Sequence, residues 1–184
     1  NSHQPLNGPP FIYALLNDTK FVIENNFTGV MVLEWPVEFW WNNAFNIRLA
    51  GIYPYYYPQR DPVAELKDYS LNYFGPAAGP LIFDFFKMLG DNKNLEKVYS
   101  ASRGEASPED KQWLIELQIL LRRAEQIVLN QPVYLYRITK LLQVHNLLIQ
   151  LAGARNKIIE LENTYSTMNK DAVLQKINEL RMET

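Results

Sequence analysis

Between Ser107 and Ala152 apolar residues return every three or four positions: Trp113, Leu117, Leu120, Leu121, Ala124 and Val128, then Tyr134, Ile138, Leu141, Leu142, Leu148 and Ala152, with His145 on the second stripe. That spacing lines one face of an α-helix, and the two runs predict an antiparallel helical hairpin. Its boundaries are chemical as well. Ser107-Pro108-Glu109-Asp110 offers a capping hydroxyl, a first-turn proline and two first-turn acids, and Pro132 opens the second helix. A shorter run of Val173, Leu174, Ile177 and Leu180 predicts a final helix from Asp171.

Upstream the pattern changes. NSHQPLNGPP reads as a loop, and FIYALLNDTKFVIENN as a helix that ends at Asn25-Asn26. GVMVLEW, residues 29–35, is an unbroken apolar run bounded by Gly29 and Pro36, which predicts a strand buried on both faces. One strand makes no sheet, so its partners are expected outside this chain. A helical stretch through FWWNNAFNIRLAG leads to the aromatic loop IYPYYYPQRDP. Asp61-Pro62 then fits an N-cap and first-turn proline for a helix through VAELKDYSLNYF, which Gly75-Pro76 stops. PAAGPLIFDFFKMLG predicts another, with Gly90 as its C-terminal cap. The predicted fold class is mainly α: a helical bundle of hairpins with one buried strand left from an α/β, barrel-like unit. Aromatic residues crowd before about Tyr99 and Leu and Ile dominate afterwards, so two regions are read, 1–104 and 105–184, divided near Gly104 to Ser107.

Composition narrows the function classes. At 184 residues and 47% hydrophobic, the chain can bury a core as one domain or as a small cap plus a bundle. With 18 basic and 20 acidic residues and no long run of either sign, it lacks the concentrated basic face that nucleic acid requires. No apolar run reaches the roughly 20 residues that span a bilayer. The absence of cysteine rules out disulfides, a thiol nucleophile and a Cys-based zinc site, and two histidines, His3 and His145, exclude a His-rich metal site. No metal and no cofactor are expected. The chain begins at Asn1 rather than Met, so an upstream portion is expected.

The candidate chemistry gathers in VLEWPVEFWWNNAFN, Val32 to Asn46, which holds three of the four tryptophans. Glu34 ends the expected strand, where α/β barrels place catalytic groups, and Glu38 follows four residues later. Paired carboxylates suit glycoside hydrolysis, because one protonates the leaving oxygen while the other attacks or activates water. The plainer reading is that Glu34 forms an ion pair at a strand end and Glu38 starts a helix. Trp35, Trp40 and Trp41 offer indole faces for sugar rings, and Asn42 and Asn43 offer hydrogen bonds to hydroxyls; large aromatics beside a strand are more often core. His3 is a possible ligand contact in a polar loop, and Tyr55, with Tyr53, Tyr56, Tyr57 and Arg60, belongs to a proline-pinned loop that is either a binding lip or a seal. His145, on an apolar stripe, reads as a hydrogen-bonded core histidine.

HQPLNGPP, Asp18, GVMVLEW, FWWNNAFNIRLAGIYPYYYPQRDP and DYSLNYFGPAAGPLIFDFF together resemble the C-terminal part of a bacterial family of large uncharacterised proteins. Those proteins are described as glycoside-hydrolase-like, are distantly similar to α-glucuronidases and are common in gut Bacteroidetes. YFGPAAGP, Tyr73 to Pro80, with Arg48-Leu49, Asp61-Pro62 and Tyr69 before it, is the most specific element, and the resemblance covers roughly Asn1 to Leu89. It implies a (β/α)8 barrel preceded by a β-sandwich-like domain and followed by a helical domain, with GVMVLEW as a late barrel strand. A barrel of that kind needs about 250 residues, so this chain would be a C-terminal portion whose barrel lies upstream. It implies an oligosaccharide ligand, a periplasmic or extracellular location and no hydrolase activity for this portion alone. The rival expectation is a non-enzymatic helical module for protein interaction or structural support.

Overall fold

Asp61 sets the start of the first long helix, its carboxylate accepting a hydrogen bond from the Val63 amide at 3.0 Å while Pro62 occupies the first turn. The computed structural model describes residues 19–27, 44–49, 51, 59, 61–165 and 170–182. In it the helices are α1 (Pro62–Phe74), α2 (Gly79–Leu89), α3 (Asn92–Ser102), α4 (Pro108–Ile127), α5 (Pro132–Leu151), α6 (Ala154–Tyr165) and α7 (Lys170–Met182). Residues 19–24 and 44–49 are also helical. The first of these segments ends in a turn at Asn25 and Asn26, where the helix was expected to stop, with Asn26 left-handed at φ 56°.

The mainly α architecture is as expected. Among the described residues no strand occurs, and the strand expected over 29–35 lies outside them and finds no support there. Two helices carry no expectation from the sequence. α3, NKNLEKVYSAS, has few apolar positions, but Asp91 caps it by accepting from the Lys93 amide, and Val98 and Ala101 supply its buried side. α6, ARNKIIELENTY, is so polar that no stripe marks it.

α4 and α5 pair antiparallel, as residues 114, 118 and 125 of α4 meet 145, 146 and 139 of α5. The His145 ring nitrogen lies 2.8 Å from the Leu114 carbonyl, Gln118 bonds Asn146, and Thr139 donates to Glu125 at 3.2 Å. Ser107 caps α4 through the Asp110 amide at 3.0 Å. The buried side of α4 is Leu114, Leu117, Leu121 and Ala124, followed by Val128, with Trp113 and Leu120 only partly covered. α2 is the hub, packing on α1, α3 and α4, and its Ile82, Phe85, Phe86 and Leu89 are buried. Each such side chain contributes about 1.5–3 kcal/mol relative to exposure. Phe45 and Leu49 from upstream and Ala152 from the end of α5 join the same buried cluster, so both sides of Gly104 to Ser107 share one core.

Glycine makes two of the tightest junctions possible. A Cβ on Gly79 would sit 2.7 Å from the Leu71 Cα, so α1 and α2 cross backbone against backbone. Gly75, at φ 91° and ψ 152°, ends α1 in a conformation that only glycine adopts readily. Further along, the first turn of α6 is clamped to the loop before α4. The Arg155 amide donates to the Gly104 carbonyl at 3.0 Å, Arg155 pairs with Glu105, and the Asn156 side chain donates to the Ala106 carbonyl.

Candidate functional site

The residues nominated from the sequence, Glu34 and Glu38 as catalytic carboxylates and His3, Trp35, Trp40, Trp41, Asn42, Asn43 and Tyr55 as saccharide contacts, lie outside the described residues. What the structure does bring together is a different set, at the junction of α1, α2 and α5. Among the described residues, a cleft of about 420 Å³ is lined by Tyr73, Phe74, Phe86, Tyr136, Arg137, Lys140, Leu141 and Gln143.

Its geometry follows from the end of α1. The Tyr134 ring lies directly against Gly75, where a Cβ would come within 2.7 Å of the ring, and this brings the first turn of α5 onto the C-terminus of α1. One residue beyond Tyr136, Arg137 then reaches back. Its Nη1 donates to the Tyr73 carbonyl at 2.5 Å, and its guanidinium carbon stands 4.0 Å from the Tyr73 ring centroid. Carbonyls in the last turn of a helix lack intrahelical donors and carry the negative end of the helix dipole, so a cation is favourable there. Tyr73 also stacks on Tyr69 with centroids 5.2 Å apart and planes 11° from parallel. Two neighbours thus take up the faces of Tyr73, and its ring offers a sugar no open platform.

Tyr69 extends the aromatic row to Phe45, 5.4 Å away. Burial first, and then the neighbouring Tyr73 phenol, push the Tyr69 hydroxyl well above its usual pKa, against the pull of Arg137 and Arg48. Arg48 meets the buried Glu65 at 3.5 Å. The residues most specific to the sequence resemblance therefore have structural duties: Asp61 caps, Leu49 and Tyr69 are core, and Gly75 and Gly79 allow close approach.

On the outer side, Lys140 lies 5.6 Å from the ring centroid of Tyr136, which is 65% exposed, and donates to the Gln143 side chain at 3.2 Å. Phe74, Phe86 and Leu141 are buried and provide apolar lining. No aspartate or glutamate is among the lining residues. Sequence reasoning missed this site because its attention was on the tryptophans. The available signal was YLYRITK, Tyr134 to Lys140, in which the aromatic and basic residues Tyr136, Arg137 and Lys140 alternate with the stripe positions Tyr134 and Ile138.

The second histidine is settled. His145 is fully buried, edge-on to Phe85 at 5.2 Å, and burial lowers its pKa to about 4 against the hydrogen bond to Leu114. It is a neutral core residue, as its stripe position predicts. Among the described residues no group of three or more His, Cys, Asp or Glu is placed to hold a metal ion, and no helix is long and apolar enough to cross a membrane.

The chain was compared with protein-family models, curated proteins and solved structures, and none matches.

Proposed function

We propose that this chain is the helical, supporting portion of a carbohydrate-active protein resembling glycoside hydrolases, and that one face of α4 seats it on a neighbouring barrel unit. A single observation carries the reading. Away from its buried stripe, α4 exposes Ile115, Ile119 and Ile127 around a shallow depression also lined by Gln118, Arg122, Arg123 and Gln126, and Leu129 is exposed beyond the end of the helix. Single exposed apolar residues are ordinary, but three around one depression on a helix, rimmed by polar and basic side chains, have the character of a contact surface. The finer parts of the reading come from the sequence. GVMVLEW would be the last piece of the barrel, the segment from Val32 to Asn46 would contribute saccharide contacts, and the location would be periplasmic or extracellular.

The test is hydrogen exchange on α4, alone and mixed with the separately expressed barrel unit of the same protein. Protection of residues 115–127 on mixing, abolished by Ile119→Asp, is the expected result; unchanged exchange in α4 would overturn the docking role. Saccharide contact is a separate question. Tryptophan fluorescence titrations with neutral and acidic oligosaccharides, with Glu34→Gln and Trp41→Ala as controls, should show saturable quenching lost in the variants. A flat response to every sugar would leave α4 docking as the whole function.

A further inference from the structure

We infer that the cleft between α1 and α5 is a binding site for a small ring-bearing carboxylate. Two cations face it, and neither Arg137 nor Lys140 has a carboxylate partner among the described residues. Cations of the same helix one turn apart repel, and an unneutralised pair is held together here by other contacts. The Tyr73 ring and carbonyl fix Arg137, while Tyr136 and Gln143 hold Lys140. Fixing them in the apo state removes much of the ordering entropy that binding would otherwise lose.

The charge specifies an anion, and the shape of the donors favours a carboxylate. Arg137 commits one Nη1 hydrogen to Tyr73, leaving the remaining guanidinium N–H groups as donors in a plane that matches two carboxylate oxygens. The ammonium of Lys140, one turn along, supplies a second point of attraction. Phe74, Phe86 and Leu141 call for an apolar body behind the anion, and about 420 Å³ is within the usual range for a small-molecule site. A neutral sugar fits less well, because the Tyr73 faces are already occupied and the lining offers no acceptor carboxylate.

The experiment is an NMR titration of the full chain with phenylacetate and with cyclohexylacetate, using 2-phenylethanol as the uncharged counterpart and acetate as the charge without the ring. Saturable shifts confined to Tyr73, Phe74, Tyr136, Lys140 and Leu141 are expected for at least one ring carboxylate, and the two rings separate an aromatic from a saturated ligand. Lys140→Gln, a surface change that the fold tolerates, and Arg137→Lys, which keeps a cation near the Tyr73 carbonyl, should each weaken binding by roughly tenfold or more, as expected for hydrogen bonds to charged groups. The inference is overturned if neither ring carboxylate binds, if 2-phenylethanol or acetate binds as well, or if both variants leave the affinity unchanged. None of these outcomes depends on whether α4 docks.

Discussion

Replacing Gly75 by alanine tests whether the junction of α1 and α5 is built on a backbone that only glycine permits. The added methyl meets two penalties. At φ 91° and ψ 152° the position lies outside the left-handed helical well, and an L-residue there is strained by about 1–3 kcal/mol. The methyl would also stand 2.7 Å from the Tyr134 ring, and forcing such an overlap typically costs about 1–3 kcal/mol more. The sum, roughly 2–6 kcal/mol, should lower the melting midpoint of a chain of 184 residues by on the order of 10 °C. The assay is thermal and urea denaturation of four proteins: the natural chain, Gly75→Ala, Tyr134→Ala and the double variant. Removing the ring should relieve the overlap and leave the strain, so the double variant should lose less than the two single losses added together. Gly75→Asn should give no rescue, because asparagine tolerates the left-handed helical well and not this one. A Gly75→Ala penalty below about 0.5 kcal/mol, or full rescue by asparagine, would refute the reasoning.

Other consequences can be measured on the same protein. His145 binds a proton near 6.5 when unfolded but only near 4 when folded, so its stabilising contribution is complete above about pH 6.5 and is lost as the pH falls through about 4. At about 1.4 kcal/mol per pH unit the interval is worth roughly 3 kcal/mol, and His145→Leu should flatten the urea midpoint between pH 7 and 4 relative to the natural chain. Leu117→Ala should destabilise by about 2–5 kcal/mol, whereas Ile119→Ala, on the exposed side of the same helix, should stay within about 0.5 kcal/mol. Ser107→Ala removes the α4 cap and should cost about 1 kcal/mol in the same melts, with Ser107→Asp restoring it.

The helices that the sequence made legible are those whose burial is written as a stripe. α4 and α5 announce themselves because one face is apolar over five turns and the ends carry Ser107 and two prolines. α3 and α6 were not legible because their helicity rests on tertiary context: α3 is held by the Asp91 cap and by α2, α4 and α5 around it, and α6 by a clamp to a loop some 50 positions earlier. The same reasoning explains the exposed isoleucines. The stripe along α4 already sets Leu117 inside and leaves Ile119 off it, but only the placement of α2 and α5 shows that Ile115, Ile119 and Ile127 stay uncovered around one depression. The cleft was hidden for a further reason, that it joins Tyr73 to Arg137 across 64 positions. Periodicity describes neighbours on one helix and says nothing of such a pair.

The clamp at the head of α6 gives that helix the mechanics of a lever fixed at one end. Its first turn is tied to residues 104–106, but Ile158 and Ile159 point into solvent and α7 is its principal later companion. Opening should therefore spread inward from the far tip. Amide protection is expected to rise stepwise from α7 through the outer turns of α6 to Arg155, and a protease should trim the tail back toward that residue before it reaches α5. The loop that caps the start of α4 would thus double as the brake on unravelling from the C-terminal side, so that loosening Gly104 to Ala106 would release both helices together.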